Sequence, residues 1–142
     1  MAEWLNGQTA LTVRVAAEGD RPRAGEVLLA ATNDHMHVLP GGTFGYTPEP
    51  VSTPYRPSVD VFFHSVVEHW RGSAIGVLLT GMGRDGAIGL KAMRAKGYHT
   101  IAQDAATSAV YGMPKAAAAL DAARAILPLD RIADELITLV RA

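Results

Sequence analysis

Ala74-Ile75-Gly76-Val77-Leu78-Leu79-Thr80-Gly81-Met82-Gly83-Arg84-Asp85-Gly86 decides how this chain folds. It opens as a short, almost purely apolar run without polar alternation, which reads as a strand covered on both faces, as in a parallel sheet. It closes on three glycines, Gly81, Gly83 and Gly86, and Ala87–Lys96 then reads as a helix. Strand, tight turn and helix make half of an α/β unit. The turn lies at the carboxyl end of the strand, where open α/β sheets place their chemistry. One carboxylate, Asp85, sits inside it. A charge at that place is either a cap for the following helix or a catalytic group.

Upstream of the turn, Ser58 opens a helix with Val59, Phe62, Phe63, Val66, Val67 and Trp70 on one apolar stripe, and Gly72 is its expected stop. Before it, Pro48–Pro57 is an extended connection. His35–Leu39 and Thr43–Tyr46 flank Gly41-Gly42 and read as a β-hairpin, paired glycines supplying the positive φ of a tight reversal. Leu11–Val15 and Gly25–Ala31 read as strands, and Met1–Gln8 as the last turns of a helix with Trp4 and Leu5 on its apolar side. Downstream, Tyr98–Gln103 is a strand and Asp104–Val110 a loop. Pro114 starts an alanine-rich helix to about Arg124, and Ala125–Leu127 is a short strand. Asp130 caps a last helix with Ile132, Leu136, Leu139 and Val140 on one face. Helix and strand alternate from residue 58 on, which argues an α/β fold: a doubly wound, mainly parallel sheet flanked by helices, with one hairpin.

The 142 residues carry a formal charge of -1 and are 49% hydrophobic, enough for one domain with a core and no footprint for nucleic acid. No apolar run approaches the roughly 20 residues of a membrane span, and the N-terminus lacks a signal-peptide layout. The expectation is a cytoplasmic domain without membrane insertion. There are no cysteines and hence no thiol chemistry.

Gly81-Met82-Gly83-Arg84-Asp85-Gly86 also satisfies G-x-G-x-x-G, and Asp104 stands about 18 residues on, where a ribose-binding acid would sit. A dinucleotide-binding module is therefore one reading of the spacing. Asp85 argues against it, because a fixed negative charge competes with a pyrophosphate for the helix N-terminal amides. His35 and His37 have an i, i+2 spacing that could hold a metal, but no third ligand is evident, so neither metal nor cofactor is expected. His64, His69 and His99 read as structural or surface positions, and Tyr111 and Lys115 as packing or cleft residues.

Leu78–Gly86, Thr100-Ile101-Ala102-Gln103-Asp104 and Tyr111-Gly112-Met113-Pro114-Lys115 resemble the catalytic domain of CheB-type protein-glutamate methylesterases. So do Tyr55–Asp60 and Leu29–His35, and the likeness runs from about Ala2 to Leu139. The wording around Trp4 and His69-Trp70 is similar to the WspF branch of surface-sensing pathways. The resemblance implies hydrolysis of glutamyl methyl esters on methyl-accepting chemoreceptors, glutamine deamidation in some relatives, and a parent protein with a receiver domain. It implies a Ser-His-Asp triad in which Asp85 is the aspartate, with Gly81, Met82 and Gly83 forming the oxyanion and active-site loop. The family's serine and histidine lie upstream of the segment matching Ala2. No G-x-S-x-G elbow is present, and Ser52, Ser58, Ser65, Ser73 and Ser108 stand outside such a turn. Residues 1–142 are thus expected to be the C-terminal portion of one methylesterase catalytic domain, incomplete at its N-terminal side and inactive alone. A non-catalytic remnant that binds receptors or a partner chain is the alternative.

Overall fold

The computed structural model describes residues 1–31 and 33–141. Thr32, within the expected Leu29–His35 motif, lies outside them. The chain divides into two compact units, Met1–Arg71 and Gly72–Ala142.

The first unit holds α1 (Ala2–Asn6), β1 (Thr12–Val15), β2 (Glu26–Leu29), β3 (His35–Val38), β4 (Phe44–Thr47) and α2 (Val59–His69). The expected hairpin is β3–β4, registered from His35↔Thr47 to Val38↔Phe44, and Gly41 and Gly42 turn it with φ of 97° and 87°. β1 and β2 pair in parallel, Thr12↔Glu26 to Val15↔Leu29, without a helix between them. A parallel crossover normally needs a helix to return the chain. Here hydrogen bonds to the hairpin hold the connection instead. Gly19 donates to the Phe44 carbonyl at 2.8 Å, and the Phe44 amide donates to Asp20 O at 2.7 Å. Glu18 Oε2 accepts the Tyr46 amide at 2.9 Å, and the Tyr46 hydroxyl donates to the Ala16 carbonyl.

α2 starts as expected, with Ser58 Oγ accepting the Val61 amide at 3.3 Å. It ends before the expected Gly72, because Trp70 turns to extended backbone with ψ 130°. Within its expected stripe Val66 is fully buried and the other members are half-buried, and Ser65 is buried beside it. Ser65 Oγ accepts the Val38 amide at 2.8 Å and donates to the Phe62 carbonyl at 2.6 Å, so a hydroxyl links helix to hairpin. His35 is fully buried. Its Nδ1 accepts the Ser58 amide at 3.0 Å, which leaves Nε2 to donate to the Pro50 carbonyl at 3.1 Å.

The second unit holds β5 (Ile75–Leu78), α3 (Ala87–Lys96), β6 (His99–Gln103), α4 (Met113–Ala119), β7 (Ala125–Leu127) and α5 (Leu129–Arg141). Its strands run parallel in the order β5-β6-β7. The α/β fold with a parallel sheet and helices is therefore present as expected. The strand covered on both faces is β6, however, not β5. Thr100, Ile101, Ala102 and Gln103 are all buried, because β5 and β7 flank β6 in the sheet and α3, α4 and α5 all pack on it. β5 buries Gly76 and Leu78 and leaves Ile75 and Val77 half-buried, and Leu79 just beyond it is 46% exposed. A Cβ on Gly76 would come within 2.6 Å of Leu90 Cδ1, so the missing side chain lets α3 lie close on the strand.

Two helix boundaries of the second unit also differ from expectation. α4 ends at Ala119 rather than near Arg124, because Asp121 leaves the right-handed helical region and the Asp121 and Ala122 amides turn back to Ala118 O and Ala117 O at 3.1 and 2.9 Å. Thr100 Oγ1 donates to Ala122 O at 2.6 Å, Arg94 Nη1 donates to Asp121 O at 2.9 Å, and Asp121 adopts φ 55°. α5 begins at Leu129, which puts Asp130 in its first turn instead of at its cap. Among the described residues no helix is long and apolar enough to cross a membrane.

Two outcomes follow for the first unit. Replacing His35 by Leu removes the acceptor of the buried Ser58 amide, and urea unfolding should register a loss of about 1–3 kcal/mol. The second concerns Arg14, which binds Asp20 Oδ2 at 2.6 Å and Glu26 Oε2 at 3.1 Å. The Arg14 hydrogen bond, followed by the Ala17 amide, holds Asp20 below its ordinary value of 3.8. A carboxylate depressed in the folded state stabilises above its unfolded pKa and loses that contribution as pH falls through the folded one. The gap in melting temperature between the native chain and Asp20→Asn should thus be widest above about pH 4 and close on further acidification.

Candidate active site on the glycine turn after β5

The turn bearing Asp85 begins where β5 leaves its ladder. The β5–β6 register ends at Leu78↔Ala102, and the Thr80 amide donates to the Gln103 side-chain Oε1 at 2.7 Å. The Thr80 hydroxyl then donates to Val110 O at 2.9 Å and accepts the Val110 amide at 2.8 Å. Gly81 continues the seam. Its amide donates to Val110 O at 3.0 Å, and its carbonyl accepts the Gly112 and Met113 amides at 3.1 and 2.8 Å. The seam carries a parallel bridge between Gly81 and Tyr111.

Two of the three motifs that looked related in the sequence, the Gly81–Gly86 turn and Tyr111–Lys115, are thereby joined backbone to backbone. The third, Thr100–Asp104, supplies Gln103. Gly112 makes this possible. A Cβ there would stand 2.6 Å from Gly81 O and 2.9 Å from Gly83 N, so only a residue without a side chain fits. The glycines that satisfied a dinucleotide pattern receive a neighbouring backbone here. Asp104, the residue that pattern would assign to ribose, has Oδ1 occupied by the Thr107 amide at 3.0 Å and hydroxyl at 2.6 Å.

Beyond the seam Gly83 takes φ 87° and Gly86 φ 95°, and the chain between them carries Asp85 inward to 6% exposure. Met82 points the other way and is 80% exposed. The N-cap position of α3 is held by Gly86, the residue after Asp85. Of the expected loop residues, Gly81 is committed to the seam through both its amide and its carbonyl, and Met82 and Gly83 form the outer bend. Tyr111 is half-buried and Lys115 exposed.

The other residues weighed in the sequence lie elsewhere. His35 has both nitrogens on backbone partners, as described above. His37, His64 and His69 border a shallow cavity of about 330 Å³ in the first unit, and His99 Nε2 lies 3.8 Å from Glu135 Oε1. Among the described residues no group of three His, Asp or Glu is placed to hold a metal ion.

Sequence reasoning quoted Thr80, Gln103 and Gly112 within motifs but gave them no task. The available signal was a polar Gln103 following the apolar Ile101-Ala102 at the end of a strand.

The fold and the turn define an α/β domain with one buried carboxylate on the loop at the carboxyl end of a parallel strand. The family described as CheB methylesterase matches residues 1–136. The chain belongs to that family. A protein-glutamate methylesterase/protein-glutamine glutaminase of Burkholderia thailandensis is 72% identical over 141 residues, covering 99% of this chain and 41% of that protein. One from Burkholderia orbicola is 74% identical, again over 141 residues, covering 42% of its length. The crystal structure of the Thermotoga maritima CheB methylesterase catalytic domain matches with a TM-score of 0.90 at 32% identity, covering 97% of this chain and 75% of that one. The chain thus spans about two-fifths of the length of the curated relatives it matches.

Gly112→Ala tests the seam. Overpacking against backbone that cannot yield should cost about 1–3 kcal/mol in chemical unfolding. The amide resonances of Gly81–Gly83 should shift more than those of β7.

Proposed function

We propose that this chain is the C-terminal portion of the catalytic domain of a protein-glutamate methylesterase, and that Asp85 is the aspartate of its Ser-His-Asp triad. The observation that carries the reading is Asp85 itself: a carboxylate 6% exposed on the turn after β5, in a chain 72% identical to a protein named for this activity. The reaction is hydrolysis of a glutamyl methyl ester to glutamate and methanol. That relative's name extends it to glutamine side chains, giving glutamate and ammonia.

In this reading the serine and histidine come from a segment preceding the part that matches Ala2. The absence of a G-x-S-x-G elbow and the 41% coverage of the relative are consistent with it. So are the half-buried Ile75 and Val77 and the exposed Leu79, an apolar surface such a segment would cover. Asp85 accepts the Nδ1–H of the histidine, holds its tautomer and stabilises the imidazolium as the serine proton is transferred. Gly81 gives its amide to Val110, so the oxyanion donor is assigned to the Met82 amide, with Gly83 setting the bend that aims it. The substrate is a chemoreceptor methylated on glutamate. The parent protein carries a receiver domain and works in the cytoplasm.

In the full-length protein, Asp85→Asn should lower kcat on methylated receptor by on the order of 10⁴-fold. Its melting temperature should stay close to native. Near-native turnover would overturn the assignment. The 142-residue chain alone should release no methanol, and hydrolysis by it that a serine-reactive inhibitor blocks would place the nucleophile within these residues.

A further inference from the structure

We propose that Gln103 is the positioning residue of this site: its side-chain amide replaces the sheet ladder where β5 ends, and so fixes the point from which the Asp85 turn departs. The inference rests on the triad reading above. Gln103 touches none of the reacting groups and acts through Thr80.

A strand leaving a parallel sheet strands its next backbone donor. That donor is the Thr80 amide, and Gln103 Oε1 accepts it at 2.7 Å. At 1% exposure Gln103 has no water to turn to, so the bond is costly to lose. The other end of the same amide faces away from β5. Nε2 donates to the Thr107 carbonyl at 2.9 Å and to its hydroxyl at 3.2 Å. Thr107 is held in its turn, since its hydroxyl donates to Asp104 Oδ1 at 2.6 Å and accepts the Leu129 amide at 3.0 Å. One planar group therefore ties the end of β5 to the loop between β6 and α4.

The chemistry at this place is demanding. Only a side chain that accepts at one end and donates at the other satisfies both Thr80 and Thr107. Methionine fills the volume and does neither. An ionised glutamate accepts from Thr80 but meets the Thr107 carbonyl with a second acceptor, whereas a protonated glutamate restores the donor. Burial raises the pKa of a carboxyl at this position, which brings the exchange between those two states into an accessible range.

The test measures kcat and KM on methylated receptor across pH for the full-length protein and for Gln103→Met, Gln103→Glu, Thr107→Val and Asp85→Asn. Gln103→Met should lose about 10–100-fold in kcat with KM little changed, the penalty of a misplaced catalytic group. For Gln103→Glu the ratio of its kcat to native kcat should rise as pH falls. Taking the ratio removes the titration of the triad itself. Thr107→Val alters an exposed residue and keeps the core intact should Gln103→Met fail to fold. It should lower kcat in the same direction and by less. A pH-independent ratio for Gln103→Glu, together with native kcat in Thr107→Val, overturns the positioning role while an inactive Asp85→Asn leaves the triad standing. Native turnover in Asp85→Asn removes the triad reading, and the positioning role with it.

Discussion

Two backbones meet without a side chain between them where Gly112 lies on Gly81 and Gly83, and the second unit depends on that approach. The contact sets the Gly81 carbonyl against the Gly112 and Met113 amides. It therefore fixes the first turn of α4, whose Ala116 amide returns to the Gly112 carbonyl at 3.0 Å. It also fixes the outward bend of Met82 and, after Gly83, the inward course of Asp85. Hydrogen bonds across such a seam are modest singly. Five of them between residues 80–81 and 110–113 together give the loop the definition of a strand.

The architecture was largely legible because it rests on signals carried by single residues. Gly41-Gly42 and the Ser58 cap each specify a backbone state and turned out as read, and Pro114 stands in the first turn of α4. What misled was hydrophobicity taken as a proxy for position in the sheet. The apolar run at Ile75–Leu78 stands at one end of its unit's strand order, while the more polar His99–Gln103 is enclosed. Thr100 and Gln103 can be enclosed because their polar atoms are satisfied by Ala122 O, Thr80 N and Thr107, the first two remote in sequence. No periodicity encodes such partners. A different gap in the reading extended α4 to Arg124, since the left-handed turn that ends it falls on Asp121, with no glycine to announce it.

The candidate site was legible in part for the same reason. A carboxylate in a glycine turn after a strand is a local pattern, and it singled out Asp85, which the fold buries. The pattern could not separate a phosphate cradle from a backbone seam, because glycine serves both. Gly112, lying in a different motif, decides between them. In the first unit the buried polar residues His35 and Ser65 play a comparable part: His35 bonds the Ser58 amide and the Pro50 carbonyl, and Ser65 accepts the Val38 amide, so helix, hairpin and proline segment are held in one register.

The helix-free connection between β1 and β2 couples motions as well as positions. Gly19, Asp20 and Glu18 hang on the backbone of β4, so the parallel pair is tethered through a hairpin that follows it in the chain. Opening the β3–β4 hairpin releases the connection, and with it the restraint that brings β1 beside β2. The two sheets of the first unit therefore belong to one cooperative opening unit, and their amides should share a common exchange free energy although no ladder joins them.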